Sequence, residues 1–243
     1  VLDDVSFTVR AGETFALIGP SGCGKSTLLG ILGGMLRPSA GTVAASGAPP
    51  SGCLNPFTYV FQDFALLPWR SVAGNVALAL EHHRMRGAER DARIAEVLAL
   101  CGLGDFSHAL PKQLSGGMRQ RVGIARAFAL SPKLLLLDEP FGMLDSLTRW
   151  ELQEVLMEVW SQTRVTAICV THDVDEAILM SDRVVMMTNG PEATIGRIVD
   201  VDLPRPRTRK ALVEHPDYYR YRASVLSFLE EYEHGAHPKK EVA

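Results

Sequence analysis

The chain has 243 residues, of which 47% are hydrophobic and 22% are charged. This length suits one α/β domain, or one domain with an inserted subdomain, and the composition excludes a disordered or collagen-like chain. The formal net charge of −3 gives no overall signature of nucleic-acid binding. No apolar stretch approaches the roughly 18 residues of a membrane span, and the four cysteines form no CxxC pair, which favours a reducing compartment over a disulfide or zinc framework.

The first strong pattern along the chain is a strand followed by a glycine-rich loop and a helix. Residues 15–18 are a short apolar run that ends at a Gly-Pro pair, as a buried parallel strand does. Leu28, Leu32 and Met35 then recur at helical spacing, which predicts a helix from Lys25 onward. A strand, loop and helix in this order open a phosphate-binding α/β unit.

Further apolar runs of strand length follow in the second half of the chain, and a helical stripe at residues 147–161 separates the first two. Strands that alternate with helices predict a mostly parallel sheet covered on both faces. Near the N-terminus, residues 5–9 and 42–45 alternate in the manner of antiparallel strands. The later runs span residues 134–137, 167–170, 183–187 and 195–201.

Two other regions do not follow this alternation of strands and helices. Residues 64–130 contain helical patterns and no convincing strand, which predicts an all-helical insertion. Residues 204–210 are basic and broken by proline, which indicates a solvated linker, with a contact to RNA or anionic lipid as the alternative. We therefore expect a main domain over residues 1–203, followed at 204–243 by a linker and an amphipathic helix. One side of that helix carries Tyr218, Tyr221, Val225, Phe228, Leu229 and Tyr232.

The loop after the first strand matches the pattern G-x-x-x-x-G-K-[ST] in full. Glycines let the backbone wrap a phosphate, and the N-terminus of the following helix adds positive potential. In this pattern Lys25 reaches the β- and γ-phosphates of a nucleotide, and the Ser26 hydroxyl is a Mg²⁺ ligand. A chance glycine-rich turn is the alternative, and the flanking strand and helix disfavour it. The candidate residues are Gly19, Pro20, Ser21, Gly22, Cys23, Gly24, Lys25, Ser26 and Thr27.

Two carboxylates follow the apolar run at 134–137. A parallel sheet presents ligands at the C-terminal ends of its strands, so Asp138 fits the metal-side carboxylate of a P-loop nucleoside triphosphatase (NTPase). The side chain of Glu139 is expected to project in a different direction from that of Asp138, so it can orient and deprotonate an attacking water. An acidic turn after a core strand is the alternative, and the phosphate loop upstream favours the nucleotide site.

A third motif identifies a family. Leu114, Ser115, Gly116, Gly117 and Met118 open a helical pattern, and Ser-Gly-Gly at a helix N-terminus is a second anion-binding end. With the other two motifs, this segment resembles the LSGGQ signature of the ATP-binding-cassette (ABC) ATPases, with Met in place of Gln. The resemblance runs from about residue 2 to 201. It implies an α/β fold, a P-loop NTPase of the ABC type, whose mostly parallel sheet core has an antiparallel β part and an inserted helical subdomain.

The resemblance also implies roles for single residues. Gln62 looks like the Q-loop glutamine, which senses Mg²⁺ and water at the γ-phosphate, and Asp145 lies in a segment similar to the D-loop. His172 looks like the switch histidine that contacts the γ-phosphate, although a lone histidine after an apolar strand is more often structural. The implied catalytic residues are Glu139, His172 and Gln62, and the implied Mg²⁺ ligands are Ser26, Gln62 and Asp138. The family's adenine-stacking residue would precede Val1, and we expect some sequence before Val1 to be missing.

The resemblance implies partners as well. In this family two ATPase chains, identical or siblings, pair head to tail, so that Ser115–Gly117 of one chain would cap ATP on the other. Separate permease subunits would cross the membrane, and this chain would lie on the cytoplasmic face of the inner membrane. The apolar and aromatic residues 64–69 are expected to contact the permease, with packing inside the helical insertion as the alternative.

Within the family the chain is similar to the nitrate/sulfonate/taurine importers, and most of all to the nitrate/nitrite/cyanate ATPases. This likeness implies ATP-driven uptake of nitrate or nitrite with a periplasmic or lipid-anchored solute-binding protein, and sulfonate, taurine or cyanate as the alternative cargo. An ABC ATPase that acts on nucleic acid or ribosomes is disfavoured, because the 96 residues from Gly19 to Ser115 (115 − 19) are too few for a long coiled coil and the chain carries one set of motifs. The likeness rests on residues 66–69, 138–149, 188–191, 202–207 and 215–219.

Overall fold

The computed structural model describes residues 1–48, 52–61, 66–83, 85, 87–142 and 144–233. The polypeptide separates into two compact units. The first unit consists of residues 1–41 together with residues 168–243, and the second consists of residues 42–167.

The described part of the chain contains six strands and eight α-helices. The strands are β1 (Thr14–Ile18), β2 (Phe57–Val60), β3 (Leu134–Asp138), β4 (Thr166–Val170), β5 (Arg183–Met187) and β6 (Ile195–Asp200). The helices are α1 (Lys25–Leu32), α2 (Val72–Leu80), α3 (Ala88–Leu100), α4 (Gly116–Phe128), α5 (Ser146–Thr163), α6 (Val174–Met180), α7 (Arg209–Glu214) and α8 (Pro216–Glu233). All four later apolar runs of the sequence are strands, to within a residue or two at their ends.

The first unit is built on a mixed sheet. Its strands lie in the order β4 (from Ile168 onward), β1, β5, β6, with β1 and β5 parallel and β5 and β6 antiparallel. Every residue of β1 is buried, whereas β6 at the edge is largely exposed. A strand buried on both faces is apolar throughout, and this is why residues 15–18 could be recognised without an alternating pattern.

The C-terminal helix α8 completes the first unit. It packs against α6 and β5, and four of the six residues expected on its apolar face are buried. Those four are Tyr218, Tyr221, Val225 and Phe228. The amphipathic helix predicted from the sequence is therefore present and contributes to the core of this unit.

The second unit contains a parallel pair, β2 and β3, in which Tyr59 lies opposite Leu136. Between these two strands the described residues form helices and turns but no strand. Helix α2 packs against both α3 and α4, and the buried side chains of Val76, Leu98 and Val122 belong to this helical core. The inserted helical region that the sequence predicts is thus observed.

Two segments expected to be antiparallel strands are not strands. Residues 42–45 are exposed, and residues 5–9 have no ladder partner. The alternation at 5–9 has another cause, because the Phe7 ring stacks on Phe15 with 5.1 Å between ring centroids. Alternation records a half-buried face and does not require strand pairing. The antiparallel part of the sheet lies instead at β5 and β6.

The predicted helix from Lys25 is shorter than the spacing of its apolar residues suggested. Helix α1 ends at Leu32, and Met35 is 50% exposed. Gly34 adopts a φ of +73°, and the Met35 N–H donates to the Gly30 carbonyl at 2.9 Å. A left-handed glycine with such a backward bond is a common way to end a helix.

The basic segment 204–210 is solvated only in part. Arg207 is buried, whereas most of the other residues are exposed, namely Pro204, Arg205, Pro206, Thr208 and Lys210. Arg207 is 6% exposed and donates five hydrogen bonds to main-chain carbonyls. Arg205 donates to Asp182 at 2.7 Å and to Thr14 Oγ1 at 2.8 Å. The prediction of a solvated segment therefore fails at Arg207, because charge and proline content do not show where carbonyl acceptors lie.

No helix in the described ranges combines the length and the apolar character that a membrane span requires. None of the four cysteines forms a disulfide bond.

Candidate nucleotide-binding site

The phosphate loop leaves the C-terminal end of β1 and leads directly into α1. Gly22 and Gly24 have φ values of +79° and +102°, in the left-handed region that favours glycine. A Cβ atom on Gly24 would also lie 2.8 Å from the Leu2 Cδ2 atom. Gly24 is the N-cap of α1 and has no side chain to accept from the first turn, so the helix N-terminus keeps donors for an anion.

Lys25 is held against the loop that it follows. Its side chain is 8% exposed, and Nζ donates to the carbonyls of Gly19 and Pro20, each at 2.8 Å. A bulkier residue at position 19 would disturb this arrangement, because a Cβ there would lie 3.0 Å from the Met187 carbonyl oxygen. The single ammonium group of the motif is therefore fixed beside the backbone of the phosphate loop.

His172 lies in the turn between β4 and α6. The Thr171 N–H donates to the Leu17 carbonyl at 3.2 Å, so this turn begins beside the end of β1. Asp173 caps α6 by accepting from the Glu176 N–H at 3.0 Å, which fixes the backbone on the other side of His172. Within the first unit the fold therefore brings the exposed His172 to the strand end from which the phosphate loop leaves.

In the second unit, Asp138 ends β3 and is contacted by a tyrosine from the neighbouring strand. The Tyr59 hydroxyl donates to Asp138 Oδ2 at 2.8 Å, and the Tyr59 ring packs on Phe61 with 4.3 Å between centroids. Burial and the nearby carboxylate raise the pKa of Tyr59, so it remains a protonated donor. The sequence analysis missed Tyr59, because nothing in the motif pattern marks a tyrosine on the adjacent strand.

Glu139 follows Asp138 with a backbone φ of +46°. This left-handed conformation costs a residue with a Cβ about 1–2 kcal/mol and takes the chain out of strand geometry. The Gly142 N–H then donates to the Glu139 carbonyl at 3.1 Å, which closes a tight turn. Two successive carboxylates are thus carried on different backbone geometries, one extended and one left-handed.

The signature segment forms the N-terminus of α4. Ser115 is the N-cap, and its Oγ accepts from the Met118 N–H at 3.2 Å. Leu114 and Gly117 are buried, while Ser115 and Gly116 are exposed. A Cβ at Gly117 would lie 2.4 Å from the Thr148 Cγ2 atom, so the close approach of α5 excludes a side chain there.

Thr148 also connects the signature with the D-loop. Asp145 caps α5 by accepting from the Thr148 N–H at 3.1 Å, and hydrogen bonds from Thr148 lower the pKa of the exposed Asp145 carboxyl. Through Thr148, the second unit brings Gly117 and Asp145 together, although they are distant in sequence. The structure shows this contact, which motif spacing could not show.

Some predicted residues fall outside the described part of the chain. These are Gln62 of the Q-loop, its neighbours at 63–65, and Met143 beside the D-loop. The rest of the apolar loop is described, and Trp69 in it is 73% exposed.

A buried asparagine, missed from the sequence, holds that loop. Asn75 is fully buried in α2, and its Oδ1 accepts from the Leu67 N–H at 2.8 Å. Its Nδ2 donates to the carbonyls of Leu67, Arg70 and Ser71 at 3.0–3.2 Å. The signal was present as a single polar residue inside an otherwise apolar helix, because a buried amide needs such partners.

Comparisons with known proteins agree with this geometry. The sequence profile described as "ABC transporter" matches residues 2–142, which is more than half of the chain. The chain belongs to the ABC transporter family. The ATP-binding cassette MJ0796, solved as a dimer after hydrolysis with ADP and Pi bound, superposes with a TM-score of 0.69 at 32% identity, covering 84% of this chain and 91% of that one. The predicted fold, that of an ABC ATPase cassette, is therefore confirmed.

Curated relatives are named for import of small anions. The chain is 52% identical over 95% of its length to the nitrate import ATP-binding protein NrtC of Synechococcus elongatus, and 52% identical over 94% to the bicarbonate transport ATP-binding protein CmpC of a Synechocystis strain. It spans only 35% and 34% of the length of these two relatives. It is also 48% identical to the nitrate transport protein NasD of Klebsiella oxytoca over 95% of this chain and 89% of that protein. The predicted resemblance to nitrate import ATPases is confirmed.

Proposed function

We propose that this ABC family member is the ATP-hydrolysing subunit of an importer whose cargo is nitrate or nitrite. The observation that carries the proposal is the 48% identity to a nitrate transport protein of which the chain covers 89%. Bicarbonate is a second candidate, because CmpC is 52% identical. Nitrate and bicarbonate are both small planar oxyanions, and both fit an importer for small anions better than a sulfonate or taurine does.

In the proposed site the phosphate loop holds the triphosphate of ATP. The backbone from Gly19 to Thr27 supplies N–H donors at the N-terminus of α1, and the Lys25 ammonium compensates the charge of the β- and γ-phosphates. The Ser26 hydroxyl, the Asp138 carboxylate and the Gln62 amide would hold Mg²⁺, and such hard oxygen donors are the ligands that this ion prefers. When bound there, Mg²⁺ would supply positive charge that offsets the negative charge developing on the phosphates during transfer.

Glu139 is the proposed general base. Its carboxylate would accept a proton from the attacking water, while Asp138 remains with the metal ion. The left-handed backbone at Glu139 supports separate roles for the two carboxylates, because the chain leaves strand geometry at Glu139, whereas Asp138 is still part of β3. His172 and Gln62 are proposed to contact the γ-phosphate and its water, and the position of His172 beside the end of β1 supports this role.

A second copy or sibling chain would complete the site. Ser115 to Gly117 of one chain would cap the nucleotide held by the other, with Asp145 beside the same interface. The exposed Ser115 and Gly116 at the start of α4 support the proposal, since the first turn of a helix presents donors to an anion. The cassette MJ0796 is described as dimeric in its ADP- and Pi-bound structure.

The proposed membrane partner is a permease, with the ATPase on the cytoplasmic face and a solute-binding protein on the other side. The exposed Trp69, on a loop fixed by Asn75, supports a docking role for that loop. A nucleic-acid partner is not proposed. Arg205 and Arg207, whose charges suggested one, donate to groups of the protein itself.

Reconstitution would test the function. The chain would be co-purified with its permease subunits, placed in proteoliposomes with the solute-binding protein, and supplied with ATP on the cytoplasmic side. We expect ATP-dependent uptake of isotopically labelled nitrate, and none when Lys25→Ala replaces the wild type. If bicarbonate stimulates ATP hydrolysis and nitrate does not, the cargo would be bicarbonate. Hydrolysis that responds to DNA or RNA, and not to the permease, would contradict a role in transport.

A further inference from the structure

We propose that Tyr59 is a positioning residue for the Mg²⁺ site, because its hydroxyl holds the Asp138 carboxylate in the orientation that binds the ion. This inference rests on the proposed function of Asp138 as a metal ligand. It adds a residue from a strand that carries no nucleotide motif.

The strand register explains how Tyr59 reaches Asp138. Tyr59 lies opposite Leu136 in the parallel pair of β2 and β3. Side chains two residues apart on a strand project from the same face, so Leu136 and Asp138 share the face on which Tyr59 stands. A tyrosine is long enough to span the diagonal to Asp138, and the observed distance from its hydroxyl to Oδ2 is 2.8 Å.

The tyrosine ring is itself held in place. It packs against Phe61 with an interplanar angle of 37° and 4.3 Å between ring centroids. The donor Tyr59 and the acceptor Asp138 also lie on paired strands, so both backbones are fixed. The hydrogen bond then limits rotation of the carboxylate about χ2, a torsion that by itself has broad energy wells. Partners of this kind orient a metal ligand, and their removal typically lowers metal affinity or activity roughly 10–100-fold.

The variant that tests this role is Tyr59→Phe, which removes the hydroxyl and keeps the ring that stacks on Phe61. The matched control is Tyr219→Phe. Tyr219 is 54% exposed, and its hydroxyl donates to the Val213 carbonyl at 3.1 Å, within the C-terminal helices of the first unit. Both changes delete one tyrosine hydroxyl, and only the first touches Asp138.

Binding of a fluorescent ATP analogue to the full chain would be followed by anisotropy during titration with Mg²⁺, and separately in EDTA. For Tyr59→Phe we expect the half-saturating Mg²⁺ concentration to rise roughly tenfold or more, with unchanged nucleotide affinity in EDTA. The control should match the wild type in both conditions. Unchanged Mg²⁺ dependence in Tyr59→Phe would overturn the proposal.

A double-mutant cycle keeps the test independent of any effect on folding. If Tyr59 acts through Asp138, adding Tyr59→Phe to Asp138→Ala, which removes the acceptor, should cause no further change in Mg²⁺ dependence. A further loss of the same size would show that Tyr59 acts elsewhere and would refute its positioning role. The proposed function fails separately, if the wild type shows no Mg²⁺-dependent nucleotide binding at all.

Discussion

Arg207 offers the sharpest test of how the C-terminal segment is bound to the first unit. Its guanidinium donates to the carbonyls of Ile178 and Ser181, which belong to the C-terminal end of α6, and to those of Val201 and Leu203. The distances lie between 2.5 and 3.2 Å. The last carbonyls of a helix have no partner within it, and a cation there also interacts favourably with the helix dipole.

The expected cost of Arg207→Met follows from these contacts. The change keeps most of the aliphatic stem but leaves four carbonyls without their charged donor. Hydrogen bonds to charged groups contribute about 1.5–3 kcal/mol each, and they are not additive when one group makes several. A buried acceptor left without its donor costs about 1–3 kcal/mol, so for four carbonyls that share one donor we expect a loss of about 3–5 kcal/mol in the free energy of unfolding. For a chain of this size, that loss lowers Tm by roughly 6–20 °C, at about 2–4 °C for each kcal/mol.

Burial lowers the pKa of Arg207 to about 10, so the side chain stays charged at neutral pH. Because the pKa of Arg207 in the folded state lies below its ordinary value, the cost of keeping the group charged on folding is constant below about pH 10 and is relieved only as the pH rises above 10. Between pH 6 and 9 the effect of Arg207→Met should therefore be constant.

Thermal and urea unfolding of the two variants would measure this effect. Lys210→Met is the matched control, since Lys210 is a cation in the same segment but is exposed. We expect the control to lie within about 0.5 kcal/mol of the wild type. If Arg207→Met were as stable as Lys210→Met, the buried contacts would contribute nothing and the segment would behave as the solvated linker that its sequence suggested.

Four further outcomes are expected. Lys25→Ala should abolish nucleotide binding or turnover, measured as phosphate release, because backbone dipoles alone do not compensate the phosphate charge. Glu139→Gln should lower turnover about 10²–10⁴-fold, roughly 2.7–5.4 kcal/mol of barrier, and accumulate an ATP-held dimer on gel filtration, whereas Asp138→Asn should weaken Mg²⁺ dependence as well. A mixture of Lys25→Ala and Ser115→Ala chains should form pairs with one intact composite site and therefore recover ATP hydrolysis. If the mixture is no more active than the separate variants, either the head-to-tail pairing is wrong or both sites must fire together. Burial acts to raise the pKa of Asp182, but hydrogen bonds from its neighbours lower it below 3.8, so its stabilising contribution should be present at neutral pH and vanish as the pH falls through that lowered value. Asp182→Asn should therefore flatten the acid slope of the free energy of unfolding, and an unchanged slope would exclude this contribution.

The sequence by itself determined the parts of this protein that depend on neighbours in the chain. The strand, loop and helix around Lys25 were predicted because continuous burial requires an apolar run and positive φ favours glycine at Gly22 and Gly24. The order of the motifs was sufficient to predict the family and the fold of a cassette. The helical insertion followed from two helical patterns and the lack of a convincing strand between them, since α3 and α4 each bury one face in the second unit.

Only the tertiary structure decided which distant side chains serve these elements. Tyr59 reaches Asp138 across a strand register, Asn75 holds the loop that bears Trp69, and Gly117 is closely approached by Thr148. None of these contacts has a periodic or motif signal, because each depends on how two elements align. Arg207 is the clearest case. Its acceptors are main-chain carbonyls, which every residue carries, so side-chain composition cannot distinguish an arginine in solvent from one that binds four of them.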